Sequence, residues 1–302
     1  MSDGLKPTLA ELVALRALTP RKSPLRRGRH GVSGTMMSNQ RGRGMEYAES
    51  RDYVPGDEVR HIDWRLTARS GRTHTKLFQA EREQLTLLVA DTSASLYFGT
   101  RIRFKSVQAA RAGALAVWMA LRAGDRVAAL RGSLGEALIS PAGGTRGGMR
   151  VLNALVRWYS QQPEDDAGLA LALEHAVRLL RPGSRLVVLA DPSSLSAIPA
   201  ACWLALTTHG EVTVVLLSDP LEVAPPFAAL PFTAEGHRFE LALDDASQRL
   251  EWERLFVEPI KMAMEELPHY GVRVRELFTD DPTESWLMPA MDGGAARTAV
   301  SR

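Results

Sequence analysis

The sequence predicts an α/β fold, a mostly parallel sheet with helices on both faces. Three observations predict it. Short apolar runs such as Leu85-Thr86-Leu87-Leu88-Val89-Ala90 read as buried strands. Longer segments with apolar residues at spacings of three and four alternate with those runs. Two of the runs end in an aspartate, Asp91 and Asp191. In open α/β sheets ligands sit at the carboxyl ends of the strands, beside a topological switch point. If the two strands are parallel neighbours, both carboxylates reach one rim.

The elements follow in chain order. Leu5–Thr19 suits a short helix with Leu9, Leu12, Val13 and Leu15 on one side, stopped by Pro20. Residues 21–44 are rich in Arg, Gly and Ser and read as loop. Glu46–Gln79 carries many charges at irregular spacing, with a short strand at Thr73–Phe78. The regular pattern starts at Gln84. The strand at 84–91 precedes a helix over Phe104–Arg122, whose stripe is Val107, Ala110, Ala114, Trp118 and Leu121 and whose stop is Gly124. Arg126–Arg131 is the next strand, and Ala137–Ser140 is placed to pair with it. Helices are expected over Met149–Tyr159, Leu169–Leu180 and Ile198–Thr207. Strands are expected over Arg185–Asp191, Glu211–Ser218, Arg238–Leu243 and Val272–Phe278. Between the last two, Asp244–Leu267 reads as a helix with Asp244 or Asp245 as N-cap.

This pattern divides the chain into a basic arm over 1–41, a charged segment over 42–80 that packs on the main domain, the main α/β domain over 81–280, and a loose Gly/Ala-rich tail over 281–302. At 302 residues, with 45% hydrophobic and 24% charged residues, the chain has room for one large globular domain. The net charge of +2 does not point to nucleic acid. Residues 1–44 do hold nine Lys/Arg against two acids, but without interleaved aromatics, so the arm suits a protein partner or solvent. The single cysteine, Cys202, excludes an intramolecular disulfide, and its apolar neighbours favour an inert buried thiol. No stretch approaches the roughly 18 uninterrupted apolar residues of a membrane span. A cytoplasmic location is expected.

The densest chemistry lies at Asp91-Thr92-Ser93-Ala94-Ser95. One carboxylate and two hydroxyls at alternate positions offer oxygen ligands on one side of a tight loop, which suits Mg²⁺ or Mn²⁺. Asp191 adds a carboxylate from the neighbouring strand end. Ser93 and Ser95 also suit simple capping of the following turn. Farther upstream, Arg51, Asp57, Arg60, Asp63 and Arg69 make a mixture of opposite charges expected to form ion pairs, with Trp64 expected in a core. Gly143–Gly148 lacks the Gly-Lys-Ser/Thr ending of a phosphate loop. The seven histidines are scattered, without zinc-site spacing.

Gly42-Arg43-Gly44-Met45-Glu46-Tyr47, then Arg51-Asp52-Tyr53 with Pro55-Gly56-Asp57-Glu58-Val59-Arg60-His61-Ile62-Asp63-Trp64, then Ala68-Arg69, then Asp91–Ser95 and Phe98-Gly99 follow one another in order. This series resembles the domain of unknown function 58 family from about Gly28 to Asp219. That family is similar to the von Willebrand factor A fold, a Rossmann-like sheet with a metal-ion-dependent adhesion site. The resemblance implies that Asp91, Ser93, Ser95 and Asp191 take the metal-site positions. It also implies a MoxR-type AAA+ ATPase as partner, in a chaperone-like system for assembly or maturation of other proteins. An acidic side chain of the partner would complete the metal's coordination. One departure stands out: Ala167 lies where the fold's metal-binding threonine would fall, and Thr145 is the substitute considered. Pro192 constrains the loop after Asp191. Many members carry N-terminal transmembrane helices, a feature not seen in this sequence.

Three functions compete. The first is a non-enzymatic interaction module whose association depends on Mg²⁺ or Mn²⁺. The second is a Mg²⁺-dependent phosphohydrolase with Asp91 as nucleophile, similar to haloacid dehalogenase-like phosphatases. Those usually place a second aspartate two residues on, where this chain has Ser93. The third is a metal-free scaffold.

Overall fold

The computed structural model describes residues 4–19, 45–80, 84–234 and 237–288. They fall into two compact units, Arg29–Glu83 and the remainder of the chain.

The smaller unit is an antiparallel hairpin of β1 (Met45–Asp52) and β2 (His74–Ala80), bridged by a short helix, α2 (Trp64–Ser70). Asp63 caps that helix by accepting the Leu66 N–H at 3.1 Å. Gly71 ends it in the left-handed region.

The main unit begins with α1 (Leu9–Ala14), capped by Thr8. Leu12 and Leu15 are buried in the core, whereas Val13 faces out. The Trp118 indole N–H donates to the Leu12 carbonyl, and Arg111 pairs with Glu11. Residues 4–19 of the expected arm therefore belong to the folded domain, because their apolar stripe finds a helix to cover. The arm beyond residue 19 lies outside the described residues.

The central sheet has six strands: β3 (Leu85–Ala90), β4 (Arg126–Arg131), β5 (Ile139–Ala142), β6 (Ser184–Ala190), β7 (Gly210–Ser218) and β10 (Arg273–Phe278). Their order is β10-β7-β6-β3-β4-β5, all parallel except β5. From β3 the chain moves outward to β4 and later returns to lay β6 on the other side. The switch point thus falls between β3 and β6.

Burial on both faces explains the unbroken apolar runs in β3 and β6. Leu88 and Ala90 face a layer made by α1, α3 (Lys105–Arg122) and α4 (Gly144–Ser160). Leu87 and Val89 face α5 (Gly168–Leu179) and, farther along the sheet, α7 (Ala200–His209) and α10 (Glu258–Glu266). Helix α3 is buried almost all round, and its alanines let it lie close to the sheet. A Cβ on Gly113 would come within 3.0 Å of Leu189. Helix α4 starts five residues before its predicted start. Gly147 and Gly148 serve close packing there: added Cβ atoms would lie 2.3 Å from the Ala142 carbonyl oxygen and 2.5 Å from Leu121.

Two one-turn helices, α6 (Pro192–Leu195) and α8 (Pro220–Val223), follow β6 and β7. Beyond them an antiparallel hairpin, β8 (Ala229–Ala234) with β9 (His237–Ala242), leads into α9 (Ala246–Trp252). The expected single helix over Asp244–Leu267 is broken by a π-turn at Glu253–Val257. The tail is not loose from residue 281: Trp286 and Leu287 are buried in the core beside α3. Residues 289–302 lie outside the described residues.

Candidate functional site at the carboxyl ends of the strands

Strands β3 and β6 run side by side, so Asp91 and Asp191 leave the sheet together. The Asp91 N–H donates to the Leu189 carbonyl at 2.9 Å, extending the ladder by one step. Asp91 is buried. One carboxylate oxygen accepts the Ser93 N–H at 2.9 Å and the other accepts the Asp191 N–H at 2.9 Å. Burial pushes its carboxyl above the usual value, against those hydrogen bonds and the nearby Ser194 hydroxyl. The hydroxyls of Ser93 and Ser95 lie 3.0 Å apart, and the Ser194 hydroxyl is 3.3 Å from Ser93. Three serines from two loops thus line the rim above one buried carboxylate.

Asp191 caps α6, with Pro192 at the first helical position. One of its oxygens accepts the Ser193 N–H at 3.0 Å and hydroxyl at 2.6 Å. The other receives the Lys105 ammonium at 2.6 Å. The same ammonium reaches Glu222 at 2.5 Å and stands 6.0 Å over the Phe98 ring. Burial pulls the Lys105 pKa down, but the two carboxylates outweigh it and hold it above its ordinary value. Burial likewise raises Glu222, with Lys105 opposing.

Strand β7 adds a third strand-end aspartate. Asp219 accepts the hydroxyls of Thr100 at 2.5 Å and Thr279 at 2.6 Å, with the N–H groups of Thr100 and Leu221. Glu222 returns to accept the Asp219 N–H at 2.9 Å, closing a capping box. Beside Ser95 and Glu222 opens an apolar cavity of about 550 Å³, walled by Phe98, Phe232, Phe239, Leu241, Trp252 and Phe256. Trp252 anchors that wall by donating its indole N–H to the Glu222 carbonyl at 2.9 Å.

Over residues 49–254 the chain matches the family described as "Protein of unknown function DUF58". The chain belongs to the DUF58 family. It is 33% identical over 193 residues to Uncharacterized protein Mb1516 of Mycobacterium bovis and to Uncharacterized proteins MT1527 and Rv1480 of Mycobacterium tuberculosis. The match covers 61% of this chain and 58% of each relative, so the chain spans less than two thirds of their length.

In this DUF58 chain four expected residues converge: Asp91, Ser93, Ser95 and Asp191. Thr145 does not join them. It follows β5, whose Ala142 pairs with Val127 at the start of β4, so it sits at the amino ends of the parallel strands, away from the rim. Ala167 does reach the rim, since its N–H donates to the Gly132 carbonyl just after β4. The side chain brought into play there is its neighbour Asp166, which accepts the Thr92 hydroxyl at 2.8 Å.

The upstream signature residues form local contacts in the smaller unit. Arg51 pairs with Asp57 at 2.7 Å, and the Val54 N–H bonded to Asp57 helps hold that carboxyl below the usual value. Arg60 pairs with Glu58 at 2.6 Å. Asp63 also accepts the Ser50 hydroxyl at 3.2 Å. Arg69 lies in the last turn of α2, where a cation suits the helix dipole. Trp64 corrects the core expectation: it is 65% exposed, and among the described side chains of this small unit Ile62 is the buried apolar one. Cys202 is half-buried, and burial pushes its thiol up.

Sequence reasoning missed Lys105, Asp166, Asp219 and Glu222. A signal existed for two of them. Ala190-Asp191-Pro192 and Ser218-Asp219-Pro220 repeat one strand, aspartate, proline, helix pattern, and Glu222 completes a capping box. Lys105 gave none, because a lysine at the head of an amphipathic helix reads as a solvated side chain.

Proposed function

We propose that this DUF58 chain is a non-enzymatic protein-interaction module, with a von Willebrand A-like sheet whose strand-end rim is the adhesive surface. The observation that carries the reading is the convergence of the Ser93, Ser95 and Ser194 hydroxyls beside an aromatic-walled cavity. Hydrogen-bonding groups next to an apolar recess suit a partner that presents an acidic or polar side chain flanked by an apolar one. The partner inferred through the family resemblance is a MoxR-type AAA+ ATPase, in assembly or maturation of other proteins.

The phosphohydrolase alternative draws less support. Asp91 is buried, and both its oxygens accept backbone N–H groups, whereas a nucleophile must reach its substrate. In the metal-dependent form of the adhesion reading, Asp91, Ser93, Ser95 and Asp191 would hold Mg²⁺ or Mn²⁺. The 3.0 Å between the two serine hydroxyls suits neighbouring ligands of an octahedral ion, which lie about 3.0 Å apart when each bond is about 2.1 Å. The rest of the donor set does not fit. Asp191 is already shared between an ammonium and Ser193, and neither Ala167 nor Thr145 brings a hydroxyl to the rim. The reading therefore keeps adhesion without requiring the ion.

The test is capture of a MoxR-type ATPase by the purified chain. A Ser95→Arg variant, which puts a bulky cation at the mouth of the cavity, is expected to weaken capture at least tenfold. Equal capture by wild type and Ser95→Arg removes the rim from the interface.

A further inference from the structure

We infer that Lys105 is the resident cation of this rim, meeting from within the chain the carboxylate charge that a strand-end metal site leaves to a divalent ion. The placement of Lys105 carries the inference. The Lys105 side chain is 2% exposed, and its ammonium lies between Asp191 at 2.6 Å and Glu222 at 2.5 Å. Lysine is among the residues least often fully buried, and only with partners. The residue opens α3, where the positive end of the helix dipole opposes a cation. Packing alone gives no reason for it either, since an apolar side chain fills such a site at lower desolvation cost.

Asp191 spends its other oxygen on Ser193, so the carboxylate faces its donors on both sides. The loop expected to bring a third hydroxyl brings Ala167, and Thr145 lies at the other end of the strands. A loop without a third hydroxyl and a fixed ammonium at the carboxylates have the same consequence: the rim is organised without a divalent ion. Adhesion would then rest on the serine hydroxyls and the cavity, and would survive chelation. That consequence rests on the function proposed above. The assignment of Lys105 does not, and its test uses the isolated chain without a partner.

The experiment is titration of chelator-washed, full-length protein with Mn²⁺, reading free ion by its paramagnetic resonance signal. Wild type is expected to leave the signal of added Mn²⁺ undiminished up to about 1 mM, and its melting temperature to be the same in Mg²⁺ and in EDTA. Lys105→Met is expected to bind about one Mn²⁺ per chain, with binding lost again when Asp191→Asn is added. The double variant Lys105→Met with Glu222→Gln removes one cation and one carboxylate together, and keeps the test open if Lys105→Met alone does not fold. Binding of one Mn²⁺ by wild type, abolished by Asp91→Asn, would overturn the inference. So would a folded Lys105 variant that takes up no Mn²⁺. Partner capture that fails in every buffer would sink the adhesion reading and leave the Mn²⁺ result standing.

Discussion

Asp219 and Asp191 end neighbouring strands and meet opposite solutions to the same burial. Asp191 is held by an ammonium, whereas Asp219 is held by hydroxyls and N–H groups alone. Burial disfavours the charge of Asp219, but the Thr100 and Thr279 hydroxyls, with the Leu221 and Thr100 N–H groups, outweigh it and hold the carboxyl below its ordinary value. The sign follows from linkage. A carboxyl lowered by folding contributes stability that is fully present above its unfolded pKa of about 3.9 and is lost as pH falls through the folded value. Asp219→Asn is therefore expected to lower the melting temperature at pH 7 and to flatten its decline below about pH 4. A variant with the wild-type acid limb would show that this carboxylate carries none of the acid sensitivity.

At the scale of elements, the rim depends on how closely β4 and α5 approach each other. Gly132 follows β4, and a Cβ there would stand 1.9 Å from the Gly168 carbonyl oxygen. That approach sets the loop carrying Asp166 against Thr92. Gly132→Ala must push the loop away, and is expected to cost about 1–3 kcal/mol, seen as a melting temperature lower by several degrees. An unchanged melt would mean that the loop yields without cost. The contact also explains part of what was hidden in the sequence. The strands were legible because burial on both faces leaves unbroken apolar runs. The glycines were not, because a glycine needed for close approach looks like one needed for a turn. Gly147 and Gly148 precede the helix expected over Met149–Tyr159 and lie inside α4.

For the whole molecule, six strands around one switch point explain why residues a hundred positions apart, Asp91 and Asp191, share a hydrogen bond. Their neighbourhood was legible from two apolar runs ending alike. The closure of the main unit was not. Leu12, fully buried, belongs to a segment whose composition suggested an arm. A short apolar stripe shows that a helix has something to cover, but not where the covered surface lies. Leu12→Ala is expected to destabilise the main unit by about 2–5 kcal/mol. A wild-type melting curve for that variant would mean that α1 contributes little to the core.

The same helix has a consequence in time. Its Leu12 carbonyl receives the indole N–H of Trp118, 106 residues later. At roughly 5–20 residues per second, a ribosome needs about 5–20 seconds between making one partner and the other. For that interval the first apolar stripe of the domain has no surface of its own chain to cover. A nascent chain stalled before α3 therefore presents Leu12 and Leu15 to whatever binds hydrophobic segments at the ribosome, and one stalled after α3 has the means to withdraw them.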